Sequence, residues 1–124
     1  MNTKDHRQEY RFIIQLPIFL ELNGSDPHSL PSIVVSNSLD ISANGLRVIT
    51  DHILPIGSIL RTCVQTSTTS EGFTLITEVK WQSKWKTEGE YLVGLALFES
   101  EDSHIQEWKE FIAHLDAKSH LLDN

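Results

Sequence analysis

The sequence has little of several residue types that common protein classes require. Cys63 is its only cysteine, which excludes an internal disulfide or a cysteine-based zinc site and favours a reducing compartment. The most apolar stretch, residues 12–22, is interrupted by Gln15, Pro17 and Glu21, and is too short and polar to span a bilayer. The polar N-terminal residues lack the pattern of a signal peptide. We therefore expect a cytoplasmic protein without membrane insertion.

Basic residues are also scarce. Ten Lys and Arg stand against 17 Asp and Glu, so the formal net charge is −7 with His neutral. Affinity for duplex nucleic acid depends on basic side chains that neutralise phosphates, so we expect no duplex nucleic acid as a partner. A small anionic ligand needs only a local cluster of positive charge. Two of the four arginines, Arg7 and Arg11, lie close together in the sequence and are the first candidates.

Sequence motifs of catalysis are missing as well. There is no G-x-S-x-G, no P-loop and no H-E-x-x-H. The histidines show no metal-ligand spacing, and His104 and His114 are better explained as surface side chains on a helix. Cys63 has no neighbouring base and is interpreted as a packing residue. The sequence predicts neither an enzyme nor a metal or cofactor site.

Hydrophobic periodicity predicts a mainly β domain. From Phe12 to Leu22 the even-numbered residues are apolar, which indicates a strand with that face toward a core. Pro17 lacks an N–H group, so this strand is predicted to be an edge strand or to carry a bulge. Turn-forming residues separate five further predicted strands, at residues 32–37, 46–50, 59–67, 73–81 and 91–97. Residues 38–45 and 68–72 are predicted as turns.

The periodicity becomes helical after the sixth strand. The apolar residues Ile105, Trp108, Ile112 and Leu115 form one helical stripe. Ser103 and Gln106 predict a capping box, with Ser100 as a competing N-cap. Six strands followed by one helix predict a six-stranded antiparallel β-barrel with a C-terminal α-helix covering one opening. The 124 residues fit one domain, with an arm at residues 1–11, a barrel at 12–99 and a helix with tail at 100–124.

Two short motifs could bind a ligand. Arg7 and Arg11 form R-x-x-x-R in the predicted arm, and Asp40, Ser42 and Gly45 form D-x-S-x-x-G between two strands. Guanidinium groups grip phosphates through paired hydrogen bonds and stack on bases. The carboxylate of Asp40 can accept hydrogen bonds from a guanine edge, and the Ser42 hydroxyl can donate or accept nearby. Gly45 permits a positive φ and a close approach of the ligand.

The same residues also have a purely structural interpretation. Asp40 and Ser42 can form an Asx- or ST-turn with Gly45 as its left-handed residue, and the arginines can be a solvated arm. Charge-assisted hydrogen bonds contribute about 1.5–3 kcal/mol each. A micromolar affinity requires about 8 kcal/mol after the costs of binding. Two arginines alone are therefore marginal, and the ligand interpretation requires both motifs to meet in space.

A third segment, residues 80–86, alternates lysines with Trp81 and Trp85. Such a pattern can bind single-stranded nucleic acid by stacking and phosphate contact, although the acidic composition opposes this. Trp81 continues the inward alternation of Phe73 and Val79, so we expect it in the core or lining a pocket. A protein-interaction module of the same fold that binds no ligand is a further alternative.

The two motifs, their order and the strands that follow resemble the PilZ domain family. The likeness extends from Arg7 to about Leu115 and includes residues 79–81 and 94–98. The resemblance implies a six-stranded barrel that binds bis-(3′-5′)-cyclic dimeric guanosine monophosphate, here cyclic di-GMP. It also implies a bacterial second-messenger receptor that changes conformation on binding and signals to a downstream partner protein.

The resemblance assigns a role to each residue of both motifs. Arg7 and Arg11 would bind phosphate and guanine, and Asp40, Ser42 and Gly45 would form the opposing wall of the site. Trp81 and His6 are weaker candidates. His6 precedes the first arginine, a neighbourhood that influences in this family whether one ligand or a stacked pair is bound.

Overall fold

The strands of the protein close into an antiparallel barrel. The structure is a computed structural model and describes residues 10–22, 32–66 and 69–122. Its elements are β1 (Pro17–Leu22), β2 (Ser32–Ile41), β3 (Gly45–Thr50), β4 (Ile59–Thr66), β5 (Thr69–Lys84), β6 (Tyr91–Leu97) and α1 (Ile105–Leu122). The strand order around the barrel is β1-β2-β3-β6-β5-β4, and every neighbouring pair is antiparallel. The predicted six-stranded barrel with one C-terminal helix is confirmed.

The first strand begins later than the alternation predicts. β1 starts at Pro17. The first residue of a strand is a position at which the missing N–H group of proline is tolerated. The prediction of an edge strand is wrong, since β1 pairs with both β2 and β4. Residues 12–16 instead reach β2 through an isolated bridge at Phe12. The predicted inward face is confirmed, because Ile18 and Leu20 are fully buried.

Side chains fill the interior of the barrel. The strands contribute to one apolar core the residues Ile18, Leu20, Val34, Ile41, Leu46, Val48, Leu60, Val64, Phe73, Leu75, Val79, Val93 and Leu95. Two buried hydroxyl groups within it, those of Thr62 and Thr77, hydrogen-bond each other with 3.0 Å between their Oγ1 atoms. Because side chains fill the interior of a barrel of this strand number, we expect a small molecule to bind outside that interior.

Two β-bulges reverse which side chains face the core. The register of β2 against β3 shifts between Ser38 and Asp40, and the register of β5 against β6 shifts between Val79 and Trp81. One extra residue moves the side chains that follow it to the opposite face of the sheet. Asp40 and Trp81 therefore face outward. The prediction that Trp81 continues the inward alternation into the core is wrong, and the residue is 41% exposed.

Two strands extend into segments that were predicted as turns. β2 continues to Ile41, so Asp40 belongs to a strand and only residues 42–44 form the turn. β5 begins at Thr69, so the loop predicted over residues 68–72 is wrong from that residue onward. In both places, pairing with a neighbouring strand satisfies backbone N–H and C=O groups in a stretch whose composition favours turns.

The helix packs its predicted apolar stripe against the barrel. Ile105, Trp108 and Ile112 are buried and belong to the core. The indole of Trp108 lies edge-on to the ring of Phe73, with 5.3 Å between the ring centroids. α1 therefore shares the hydrophobic core of the barrel and covers the end at which Phe73 lies.

The start of the helix differs from the predicted capping box. α1 begins at Ile105, and its first turn is closed by the N–H of Trp108 donating to the carbonyl oxygen of His104. The hydroxyl of Ser103 donates instead to the carbonyl oxygen of Ser100. Within the part of the chain that the structure describes, no helix combines the length and the apolar character needed to cross a membrane.

Candidate ligand-binding site

A buried carboxylate lies between two guanidinium groups on the outer face of the barrel. Asp40 and Arg47 are direct cross-strand partners in β2 and β3. Arg47 Nε donates to Asp40 Oδ1 at 3.1 Å and to Oδ2 at 2.9 Å, and Arg47 Nη2 also donates to Oδ2. Arg11 Nε donates to Oδ1 at 2.9 Å. The Asp40 side chain is only 3% exposed, whereas both arginine side chains are about one-third exposed.

The two arginines determine the ionisation of Asp40. Burial alone would raise the pKa of this carboxyl, since a charge is costly to desolvate. Hydrogen bonds from Arg47 and then Arg11 outweigh burial and hold the pKa of Asp40 below its ordinary value of 3.8. The hydrogen bond to Asp40 likewise raises the pKa of Arg47. Asp40 is therefore a carboxylate that accepts hydrogen bonds at physiological pH.

The lowered pKa of Asp40 makes folding stability depend on acidity. A group with a depressed folded-state pKa contributes stability above its unfolded-state pKa, near 3.8, and the contribution is lost as the pH falls through the folded-state pKa. Asp40→Asn should therefore destabilise the protein by about 1–3 kcal/mol at about pH 7, and by much less at about pH 3. Urea unfolding at both pH values measures this difference.

The matched control for the acid-linked stability is Asp51→Asn. The Asp51 side chain is 71% exposed and contacts His52 rather than an arginine. This variant should change the free energy of unfolding at about pH 7 by about 0.5 kcal/mol or less. If Asp40→Asn does the same, the carboxylate is not held ionised by its two arginines.

The segment before β1 holds Arg11 beside Asp40. The N–H of Phe12 donates to the carbonyl oxygen of Ile41 at 2.8 Å, and the N–H of Ile41 donates to the carbonyl oxygen of Phe12 at 3.0 Å. Further along, the N–H of Leu16 donates to Ser38 Oγ at 2.9 Å, and the N–H of Ser38 donates to the Leu16 carbonyl oxygen at 3.0 Å. This pairing places Arg11, which is distant in sequence, next to the end of β2.

Ser42 closes the turn between β2 and β3. Its N–H donates to the carbonyl oxygen of Gly45 at 2.9 Å, and its Oγ accepts from the N–H of Gly45 at 3.1 Å. Arg11 Nη1 also donates to Ser42 Oγ, at 3.4 Å, and Trp108 Nε1 donates to the Ser42 carbonyl oxygen at 2.9 Å. One serine thus connects the turn, an arginine of the site and the helix.

Gly45 does not adopt the left-handed conformation suggested by its place in the motif. Positive φ angles occur among the described glycines at Gly57, Gly72 and Gly89, whereas Gly45 is the first residue of β3. A Cβ atom at Gly45 would lie 3.0 Å from the carbonyl oxygen of Leu95 on the neighbouring strand. This close approach to the neighbouring backbone favours glycine at position 45, and the predicted role of a positive φ is wrong.

An open cavity of about 440 Å³ lies over the outer faces of β3, β6 and β5. Arg11, Arg47, Lys80 and Trp81 are among its lining residues. The indole of Trp81 lies over its cross-strand partner Gly94, where an added Cβ atom would overlap three atoms of the indole. The cavity therefore combines positive charge with an accessible aromatic face, which suits a ligand that carries phosphates and planar bases.

The structure brings together most of the residues that the two motifs predicted. Arg11 contacts both Asp40 and Ser42, and Gly45 borders the cavity that Arg11 lines. Trp81 lines the same cavity, which is one of the two positions predicted for it. Arg7 and His6 lie outside the described residues, so their roles stay predictions.

Sequence reasoning missed Arg47. Arg47 lies between Leu46 and Val48, which face the core, so the alternation of the third strand places its side chain outside. A hairpin that joins residues 40 and 47 would have identified opposite charges on paired positions. The prediction of a turn over residues 38–45 hid this pairing, because it placed Asp40 outside the second strand.

The tryptophans of the alternative nucleic-acid segment line different cavities. Trp85 borders a second cavity of about 440 Å³, together with Ile13, Ile49 and Glu90. Trp81 borders the cavity with the arginines instead. Of the two tryptophans, Trp81 is therefore the one that shares a cavity with the arginines.

The described side chains suit an anionic ligand better than a metal ion. The structure describes the side chains of residues 10–22, 32–66 and 72–115. Among these, no group of three or more His, Cys, Asp or Glu could hold a metal ion. The cluster instead offers guanidinium donors for phosphate and one carboxylate acceptor for N–H groups.

The fold and the cluster define a small closed β-barrel domain with a cationic, aromatic-lined cavity on its outer face. Comparison with protein families identifies it further. The chain matches the PilZ domain over residues 5–114, and it belongs to the PilZ domain family. A comparison with curated proteins finds no match.

Solved structures with the same fold include the Bacillus subtilis inhibitor of motility MotI/DgrA, with a TM-score of 0.66 and 15% identity over 95% of this chain and 57% of that one. Escherichia coli YcgR in complex with c-di-GMP has a TM-score of 0.64 and 16% identity over 95% of this chain and 49% of that one. The PilZ domain of the same YcgR with c-di-GMP has a TM-score of 0.64 and 15% identity over 96% and 98% of the two chains. The present chain spans about half the length of MotI/DgrA and of YcgR.

Proposed function

We propose that the protein is a cytoplasmic receptor for cyclic di-GMP. Arg7 and Arg11 bind phosphate and guanine, and Asp40, Ser42 and Gly45 form the opposing wall. The observation that carries this proposal is the convergence of the two motifs: Arg11 contacts both Asp40 and Ser42, although about thirty residues separate them in the chain. The solved structure of the YcgR PilZ domain with c-di-GMP shares the fold.

The energetics of the cavity fit such a ligand. Although the net charge is −7, the cavity gathers Arg11, Arg47 and Lys80 on one surface. Hydrogen bonds from guanidinium groups contribute about 1.5–3 kcal/mol each. Stacking of a guanine on Trp81 adds about 1–3 kcal/mol. Stacking therefore adds to the hydrogen bonds of the basic residues toward the roughly 8 kcal/mol that micromolar binding requires after its costs.

Ligand binding also has a physical route to a conformational signal. Arg11 donates to Asp40 and Ser42, so a phosphate that draws the Arg11 side chain into the cavity would displace both contacts. Arg11 is directly followed by the segment that pairs with β2, in which Ile13 is 85% exposed. We propose that ligand binding repositions this segment together with the preceding arm, and that a downstream partner protein reads the altered surface.

Titration calorimetry with cyclic di-GMP tests the proposed function. We expect measurable heat at tens of micromolar protein, and the stoichiometry then gives the number of ligand molecules bound near His6. At about 100 times the dissociation constant, the nucleotide should raise the free energy of unfolding by about 2.7 kcal/mol. No heat and no stabilisation would support the alternative of a ligand-independent interaction module. An Arg7→Ala, Arg11→Ala double variant that binds unchanged would also contradict the proposal.

Replacing Gly94 should weaken binding by displacing Trp81. In Gly94→Ala the new methyl group would overlap the indole, so the ring must leave its place over β6. If a guanine stacks on Trp81, we expect the dissociation constant of cyclic di-GMP to rise by about 5- to 150-fold, the equivalent of one stacked base. Trp81→Ala should produce a rise of similar size, since both changes remove the same aromatic surface.

The control for this prediction is Trp85→Ala, which removes the indole from the second cavity and leaves the first intact. Calorimetry should give a dissociation constant within about 2-fold of the wild-type value for this variant. If Gly94→Ala and Trp81→Ala also bind like the wild-type protein, Trp81 is not a stacking surface.

A further inference from the structure

Arg47 and Arg11 hold Asp40 in different ways. Arg47 lies on β3 directly opposite Asp40 and hydrogen-bonds both carboxylate oxygens. Arg11 belongs to the segment before β1 and bonds only Oδ1 of the carboxylate. The barrel therefore fixes the Asp40–Arg47 pair, whereas the contact of Arg11 depends on a segment outside the strands.

Arg47 and Arg11 cover the carboxylate of Asp40. Its side chain is 3% exposed and does not line the cavity, but those of both arginine partners do. A carboxylate has about four lone-pair sites. If a ligand phosphate draws Arg11 away, the site on Oδ1 that Arg11 occupied becomes available on the cavity side, and Arg47 still holds the carboxylate.

We propose that Arg47 is a positioning residue that determines base specificity: it keeps Asp40 oriented so that the freed oxygen accepts an N–H of guanine. This inference rests on the proposed function. The Watson–Crick edge of guanine presents the N1–H and the exocyclic amino group as adjacent donors, whereas N1 of adenine is an acceptor. A carboxylate fixed at this position therefore favours guanine and repels adenine.

A competing role for Arg47 predicts a different result. Since Arg47 lines the cavity, it could bind a phosphate directly. Its loss would then weaken all cyclic dinucleotides alike. A role through Asp40 instead changes the ratio of affinities for guanine and adenine, because the phosphates are the same in both ligands.

Titration calorimetry of the full chain with cyclic di-GMP and with its adenine counterpart, cyclic di-AMP, distinguishes these roles. We expect the wild-type protein to favour cyclic di-GMP by at least about 10- to 100-fold, the equivalent of one charge-assisted hydrogen bond. In Arg47→Met that ratio should fall to within about 3-fold, mainly through weaker binding of cyclic di-GMP. Arg47→Lys retains the charge but not the paired hydrogen bonds, and should give an intermediate ratio.

Lys80→Met is the matched control, because Lys80 lines the same cavity and its ion-pair partner is Glu78 rather than Asp40. It should weaken both nucleotides to a similar extent and leave their ratio unchanged. If Arg47→Met is poorly folded, Arg47→Lys decides the question through the same ratio. A guanine preference that is unchanged in the Arg47 variants overturns this inference alone. Failure of the wild-type protein to bind either nucleotide overturns the proposed function as well.

Discussion

Arg11→Ala is expected to weaken the binding of cyclic di-GMP by about 30- to 1000-fold, which corresponds to about 2–4 kcal/mol. Two charge-assisted hydrogen bonds to phosphate contribute about 3–6 kcal/mol, a range that extends above this expected loss. In the proposed binding mode, however, Arg11 exchanges its contacts with Asp40 and Ser42 for those with the ligand, so only the difference is lost. Titration calorimetry provides the affinities. Arg11→Lys should recover part of the loss, since it restores the charge without the planar fork.

The matched control is Arg61→Ala, which makes the same chemical change on the opposite side of the barrel. Arg61 is exposed on β4, and β4 is separated from β3 by two strands in either direction around the barrel. Arg61→Ala changes the net charge by the same amount as Arg11→Ala, and it should leave the affinity within about 2-fold of the wild-type value. If both arginine variants bind like the wild-type protein, the cluster around Asp40 is not the binding site.

Trp108→Ala is expected to produce the largest loss of stability, about 3–5 kcal/mol in the free energy of unfolding. The indole is completely buried, packs edge-on against Phe73 and donates to the carbonyl oxygen of Ser42. Its removal leaves a cavity where α1 meets the barrel and an unpaired carbonyl group at the turn of the site. Denaturant unfolding at neutral pH measures the loss. Trp108→Phe should cost less, since the ring is kept and the donor is removed.

Trp81→Ala is the control for this prediction, because it truncates the same residue type at a position that is 41% exposed. It should lower the free energy of unfolding by about 1 kcal/mol or less. Since the folded state of a small domain is only about 5–15 kcal/mol more stable than the unfolded state, the contrast between the two variants is easily measured. Equal losses would mean that burial of Trp108 does not link the helix to the barrel.

The local pattern of the sequence predicted the elements of the fold. Alternating apolar residues, such as Ile18 and Leu20 in β1, identify a strand with one buried face, and the spacing of Ile105, Trp108 and Ile112 identifies the helix. These patterns depend on the repeat of each backbone conformation and on burial, both of which are encoded in neighbouring residues. The family was recognisable for a related reason, since both motifs are short and read in a fixed order.

The sequence pattern could not predict the two bulges. At Leu39 and Lys80 an extra residue enters one strand of a pair, and this insertion is defined only relative to the partner strand. As a result, the side chains of Asp40 and Trp81 face the site, whereas a regular continuation of their strands would turn both inward. Period-two reasoning fails at both points for the same physical reason.

The sequence by itself determined a mainly β chain with a C-terminal helix, and two short motifs nominated Arg7, Arg11, Asp40, Ser42 and Gly45. The tertiary structure decided which groups touch. Strand pairing placed Arg47 opposite Asp40, and the pairing of residues 12–16 with β2 placed Arg11 beside the same carboxylate. Contacts between residues that are distant in sequence depend on register and closure of the barrel, and no local pattern contains that information.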